Sequence, residues 1–340
     1  MKALKHILAF LLFLSFILLS PQDTQTQELA LHKITDNLYM ISGLGGNVAF
    51  LVTDEGVLVV DSGTIPEHGK EIAAEIEKIT DKPIKYLIYT HYHGDHTHGA
   101  QGLPSNVTTI SHINTRENLE KLDMPRMKEA IANTIPQQIK KLEENVEKLT
   151  AEKSPDLEKA EKKLQQTKLQ FEEYKKIKLV FPTITFKKKS VIYLGNQEIK
   201  LLYLGCGHTN GDVLVYFPEE KVIHMGDLFF QNMIPYIDYD AGSSTENWIK
   251  ILQKVIEMDV EKAIPGHGEI TDKNGLIAQA QYLKDLRAEV EKFIKQGATL
   301  EETKEKLSLP KYEKMGLYNE LIPVNIEAVY REMTEKKKAQ

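Results

Sequence analysis

The sequence predicts an α/β fold, a sheet-bearing core with helices outside it. Two observations carry this. Short β-branched runs and helical stretches alternate in two successive halves of the chain. Between the halves, residues 124–180 contain no glycine and are dominated by Lys, Glu and Gln, which reads as an inserted helical arm. A third observation bears on function. His and Asp residues collect where strands end in loops, a common place for chemistry.

The first twenty residues stand apart. Lys2 and Lys5 precede an apolar run from Ile7 to Leu19, the pattern of an export signal or N-terminal anchor over residues 1–20. Cleavage is expected between Ser20 and Gln27. The protein is therefore expected to be exported, periplasmic or secreted, with membrane anchorage by the N-terminus as the alternative. Residues 21–35 read as a polar linker, 36–295 as the main domain with its insertion at 124–180, and 296–340 as a C-terminal helical extension. The single cysteine, Cys206, rules out an internal disulfide.

Within the main domain, "LYMIS", "NVAFLVT" and "VLVVD" predict three short strands with glycines at the turns. Residues 66–80 predict a helix: Ile72, Ala73, Ile76 and Ile79 recur at helical spacing, and Pro66 suits a first turn. "IKYLIYT" and "VTTI" predict the next strands. "NTRENLEKL" predicts a helix start capped by Asn114 or Thr115. In the arm, Ile131, Ile135, Ile139, Leu142, Val146 and Leu149 form one stripe. Leu157, Ala160, Leu164, Thr167, Phe171 and Tyr174 form another. Between them Ser154 fits an N-cap and Pro155 an N1 residue, so two antiparallel helices are expected. The arm could be plain structure, a lid or a homodimer contact. Beyond it, "SVIYLG", "EIKLLYL", "DVLVYF" and "KVIHMG" predict strands. "TENWIKILQKVIEM" predicts a helix, "EKAIPGHG" a strand ending in a loop, and "NGLIAQAQYLKDLRAEVEKFIKQG" a long helix.

With 41% hydrophobic and 27% charged residues, a large core is expected and disorder is not. The net charge of −6 gives no basic footprint for nucleic acid. The expected partner is a small-molecule substrate.

Four strand ends carry candidate metal ligands. They are "HYHGDH" with His91, His93, Asp95 and His96, "GCGHTNGD" with His208, "HMGDLFF" with Asp227, and "IPGHG" with His267. Imidazole nitrogen and carboxylate oxygen suit zinc at roughly 2.0–2.2 Å. Seven donors exceed what one tetrahedral ion takes, so two ions are expected, with Asp227 offering one oxygen to each. Such a pair, roughly 3.5–4 Å apart, can lower the pKa of water from 15.7 to roughly 7 and polarise a carbonyl or phosphoryl oxygen.

"VVDSG", "THYHGDH", "GHTNGD", "GDLFF" and "PGHG", in this order, resemble the metallo-β-lactamase superfamily over roughly residues 36–295, the arm excepted. The resemblance implies an αββα sandwich with the site along one edge. It implies that His91, His93 and His208 hold one metal, that Asp95, His96 and His267 hold the other, and that Asp227 bridges them. Asp95 would also orient the attacking hydroxide. Asp61 would support a ligand histidine, or merely shape a turn. Two Zn2+ per chain are implied, with iron or manganese as alternatives. Phe230 stands where lactamases with a Cys ligand carry a Lys, and Asp227 stands where that Cys would be. Phe229 and Phe230 suggest an aromatic wall for an apolar substrate portion. Tyr236 and Asp238 either line the pocket or shape a turn. His98 is expected at the pocket mouth, His112 in a structural role, His224 at a strand end and Cys206 as a small buried residue.

The resemblance is nearest the loosely defined cyclase or metallohydrolase branch. It implies a zinc-dependent hydrolase whose metal-bridging hydroxide attacks an ester, lactone, thioester or amide, with weak β-lactamase activity expected. The alternatives are a mononuclear iron persulfide dioxygenase and a metal-stabilised binding scaffold that uses the helical arm.

Overall fold

The computed structural model describes residues 29–338. The expected signal segment, and the linker up to residue 28, lie outside the described residues. Among the described residues no helix is long and apolar enough to cross a membrane.

The first half of the chain makes a seven-stranded sheet in sequence order: β1 (Ala30–Lys33), β2 (Leu38–Ser42), β3 (Val48–Val52), β4 (Val57–Val60), β5 (Ile84–Ile88), β6 (Thr108–His112) and β7 (Ile184–Phe186). β1 to β4 pair antiparallel, and β4 to β7 pair parallel. The second half makes a five-stranded sheet. Its members are β8 (Lys189–Leu194), β9 (Gln197–Leu202), β10 (Leu214–Phe217), β11 (Val222–His224) and β12 (Lys262–Ile264), in the order β12-β11-β10-β9-β8. β11 and β12 pair parallel, and the remaining pairs are antiparallel.

Alternation along the strands decides the layers. Leu38, Met40, Leu51, Leu58 and Val60 from the first sheet meet Ile199, Leu201, Val215 and Ile264 from the second in one buried cluster. The opposite face of the first sheet, with Phe50, Val57 and Val59, packs on Ile72 and Ile76 of α1 (Pro66–Glu77). The opposite face of the second sheet packs on α4 (Thr245–Glu257), α5 (Lys273–Lys295) and the C-terminal helix α7 (Tyr318–Lys338), with α6 (Leu300–Lys306) lying against α7. The result is an αββα sandwich.

The helical insertion leaves β6 and returns to β7, the strand beside it. Its first helix, α2, runs without interruption through residues 113–151 and contains two π-helical turns, Leu119–Asp123 and Ala130–Thr134. Each π turn ends just before a proline, Pro125 or Pro136. The wider turn accommodates the ring and the missing N–H, so the prolines do not break the helix. The second helix, α3 (Leu157–Tyr174), packs antiparallel to it. Met127, Ala130, Ile135, Tyr174 and Ile177 bury together at the base of the arm.

Several local expectations are corrected. Residues 30–33, read as linker, form an edge strand, and β7 carried no strand signal. The cap of α2 is His112, whose Nδ1 accepts from Asn114 N, rather than Asn114 or Thr115. Ser154 does not cap α3. Its hydroxyl accepts from Asp156 N within a turn, and the helix begins at Leu157.

One close approach fixes the segment after the ligand loop against the connection between β4 and α1. A Cβ on Gly99 would lie 1.8 Å from the Ser62 carbonyl oxygen. Backbone cannot yield as a side chain can. Gly99→Ala is therefore expected to destabilise the fold by about 3 kcal/mol, at the upper end of overpacking costs. Urea denaturation would measure it, and an unchanged midpoint would contradict the packing described.

Candidate metal centre

Each ligand-bearing loop is held by named bonds. After β5, Thr90 donates its N–H to Asp61 Oδ1 (2.8 Å) and its hydroxyl to Asp61 Oδ2 (2.7 Å). Asp61 has φ 64, a left-handed conformation that Asp tolerates better than most residues. The loop that presents His208 is shaped by Asp212, which accepts from Gly207 N, Thr209 N and Thr209 Oγ1. Past Asp227, the Leu228 carbonyl accepts from Trp248 Nε1 and Gln279 Nε2, both at 2.8 Å. The His267 loop is clamped by Asn47, whose amide donates to the carbonyls of Pro265 and Gly268. Asn47 was not singled out from the sequence, because its partners lie more than 200 residues away.

The loops converge. His91, His93, His208 and Asp227 form one buried group, and Asp95, His96 and His267 form a second, each able to hold a metal ion. His93 Nδ1 lies 3.0 Å from His91 Nε2 and 2.9 Å from His208 Nε2. Asp227 faces both groups. Its Oδ2 is 3.7 Å from His91 Nε2 and 3.6 Å from His208 Nε2. Its Oδ1 is 3.1 Å from His96 Nε2 and 3.4 Å from His267 Nε2. Asp95 Oδ2 completes the second group, 3.1 Å from His267 Nε2 and 3.4 Å from His96 Nε2.

The outward nitrogens fix the tautomers. His91 Nδ1 meets Thr90 Oγ1 at 3.1 Å, whose own proton goes to Asp61. His96 Nδ1 donates to Asp61 Oδ2 (2.8 Å), His208 Nδ1 to the Tyr236 carbonyl (2.7 Å) and His93 Nε2 to Asp238 Oδ2 (3.0 Å). Because each outer partner accepts, the inner nitrogen of each ring is the one turned toward the position of a cation. Asp95 Oδ1, Asp227 Oδ1 and His96 Nε2 are buried with no hydrogen-bond partner. Such atoms are costly to bury without a partner, and a cation in the second group satisfies Asp227 Oδ1 and His96 Nε2 together. The donor set is nitrogen and oxygen without sulfur, which fits zinc and also iron or manganese.

The electrostatics differ between the groups. Burial pushes His91 well below the usual imidazole range and His208 down to about 4, so both favour the neutral, ligating form. Burial also acts to lower His267, but Asp227 and Asp95 hold it up at about 9. A cation entering the second group displaces protons.

Among the other residues, Phe229, Asp238 and His98 depart from expectation, while His112 and His224 keep to it. Phe229 is fully buried in the core beneath α4 and α5 rather than on a pocket wall. Phe230 stacks on the His267 ring, centroids 5.1 Å apart. Asp238, 1% exposed, serves His93 and does not line the pocket. The Tyr236 ring lies 5.9 Å from His93 and from His208. His98 is buried on Asp123 (2.9 Å) rather than at the pocket mouth. Cys206 is half-buried, 3.6 Å from Tyr203 Oη. His112 caps α2 and reaches the Lys187 carbonyl. His224 ends β11 and accepts from Gly226 N.

Asp61→Ala removes the acceptor of both His96 Nδ1 and Thr90. Metal affinity is expected to fall about 10–100-fold, the usual effect of losing a ligand's outer partner. Chelator competition would measure this, and unchanged affinity would show that Asp61 only shapes the turn.

Two carboxylate-bridged histidine groups on the rim of an αββα sandwich define a metal-binding protein of the metallohydrolase type. The chain belongs to the metallo-beta-lactamase superfamily, whose family model matches residues 41–267. It is 23% identical over 300 residues to the metallo-beta-lactamase type 2 of Elizabethkingia meningoseptica, covering 85% of this chain and 96% of that protein. It is 22% identical over 267 residues to a linear primary-alkylsulfatase of Pseudomonas sp. (strain ATCC 19151), covering 75% of this chain. The chain spans 48% of that relative's length. Among solved structures, a metallo-beta-lactamase from Pontibacter korlensis matches with TM-score 0.53 at 18% identity, over 76% of this chain and 99% of that one. The sec-alkylsulfatase Pisa1 from Pseudomonas sp. matches with TM-score 0.62 at 16% identity, over 89% of this chain and 50% of that one.

Proposed function

We propose that this protein is a dinuclear zinc hydrolase that cleaves an ester, lactone, thioester or amide bond in a small molecule. The observation that carries this is Asp227, which turns one oxygen to each of two histidine groups. Two complete donor groups support two ions over the single iron of a persulfide dioxygenase. When bound, a pair of divalent cations supplies Lewis acidity and a nucleophile from water near neutral pH.

The chain's own residues supply the rest. Asp95 keeps Oδ2 toward His267 and His96, while Oδ1 is buried and unpartnered. Oδ1 is thus free to accept a proton from the attacking water and to fix its direction. His267 is the most exposed ligand, its side chain 18% accessible, so substrate approaches on that side. There the buried Phe230 ring backs the His267 ring, and Tyr236 flanks the centre beside His93. The buried rings of His91, His93 and His208 exclude water from the opposite side.

The test is a substrate panel on zinc-loaded and cation-stripped protein, with metal content measured in parallel. The panel includes esters, lactones, thioesters and β-lactams, and alkyl sulfates because one relative is an alkylsulfatase. Two metal equivalents and zinc-dependent turnover of an acyl substrate are expected. One iron with dioxygen uptake, or no turnover on any arm, would overturn the proposal.

A further inference from the structure

The base of the helical insertion grips the "THYHGDH" loop at two points. Arg126, between the two π turns of α2, donates from Nη1 to Tyr92 Oη at 2.5 Å. Tyr92 Oη donates in turn to Asp238 Oδ2 at 2.5 Å. Asp238 Oδ2 accepts from His93 Nε2 at 3.0 Å. The second grip is Asp123, at the end of the first π turn, on His98 just past ligand His96.

The first chain has a direction. Arginine can only donate, the phenol accepts and donates, and the carboxylate only accepts. The last proton in the line is therefore on His93 Nε2, which leaves Nδ1 its lone pair toward His91 and His208. Charge makes the same demand. Asp238 is 1% exposed, and a carboxylate buried that deeply calls for a positive charge close by. The Arg126 guanidinium, 3.8 Å from Asp238 Oδ2, provides it.

We propose that Arg126 is a positioning residue for the first metal group, acting through Tyr92 and Asp238 on His93, so that the base of the insertion is part of the metal centre. The inference rests on the reading of that centre. The tip of the arm has no share in it.

The test compares Arg126→Met and Tyr92→Phe with Arg116→Met in the full chain. Arg116 sits on the same helix and also ties it to the body, through the Pro182 carbonyl at 2.6 Å, but it has no link to the ligand loop. Zinc affinity is read by chelator competition and geometry by the Co2+ absorption spectrum. Arg126→Met and Tyr92→Phe are each expected to weaken one metal equivalent by about 10–100-fold and to change the Co2+ spectrum. The double variant is expected to lose little more than the stronger single one, because both break one chain. Arg116→Met is expected to leave affinity and spectrum unchanged.

Wild-type affinity and spectrum in Arg126→Met would overturn the proposal while leaving the metal centre intact. So would an equal loss in Arg116→Met, which would show general loosening. A rise in KM on anionic substrates with metal binding unchanged would make Arg126 a substrate contact instead. Wild-type protein that binds no cation would overturn the reading of the centre, and this proposal with it.

Discussion

Asp227→Ala is expected to lower kcat/KM by more than about a thousandfold and to leave fewer than two metal equivalents per chain. An outer partner of a ligand is worth roughly 10–100-fold, and Asp227 stands closer than that. Its two oxygens face nitrogens of His91 and His208 on one side and of His96 and His267 on the other. Burial resists its ionisation, yet the surrounding histidines hold its carboxyl well below the ordinary range. Removing it takes a donor from both groups and the compensating charge from His267. Asp227→Asn keeps the shape and one oxygen, so it separates charge from volume. Activity within tenfold of wild type in Asp227→Ala would show that the two groups do not act as one site.

Stripping divalent cations is expected to lower Tm by roughly 10 °C relative to the zinc-saturated protein. A ligand at a thousand times its Kd stabilises the native state by about 4.1 kcal/mol. Each kcal/mol moves Tm by roughly 2–4 °C in a chain somewhat smaller than this one. The donors come from loops of both sheets, so unfolding scatters them and forfeits the whole of that term. Calorimetry with chelator and with added zinc would read the difference. A shift below about 2 °C would mean that the groups bind weakly or bind nothing.

The candidate ligands were legible because each stands past the end of an apolar strand, where periodicity and residue type speak locally. Their partners were not. Asp238 serves a histidine 145 residues earlier, and nothing in its own neighbourhood announces that. Phe229 and Phe230 looked alike, but extended backbone turns neighbours to opposite faces. Both are buried in one core cluster, and only Phe230 also reaches the His267 ring. The continuity of α2 from residue 113 into the arm was hidden at Pro125, because a proline inside a helix reads as a break unless a π turn absorbs it. β1 was missed because "ALHK" is an exposed edge with no buried alternation, so only its pairing with β2 defines it.

The split of donors between the two sheets has a consequence for how the molecule assembles. His91, His93, Asp95 and His96 follow β5, whereas His208, Asp227 and His267 belong to the later half. Neither half alone can encircle an ion. An ion gripped by donors of both halves would therefore require the halves to be docked first, and a chain whose halves meet out of register cannot close the ring.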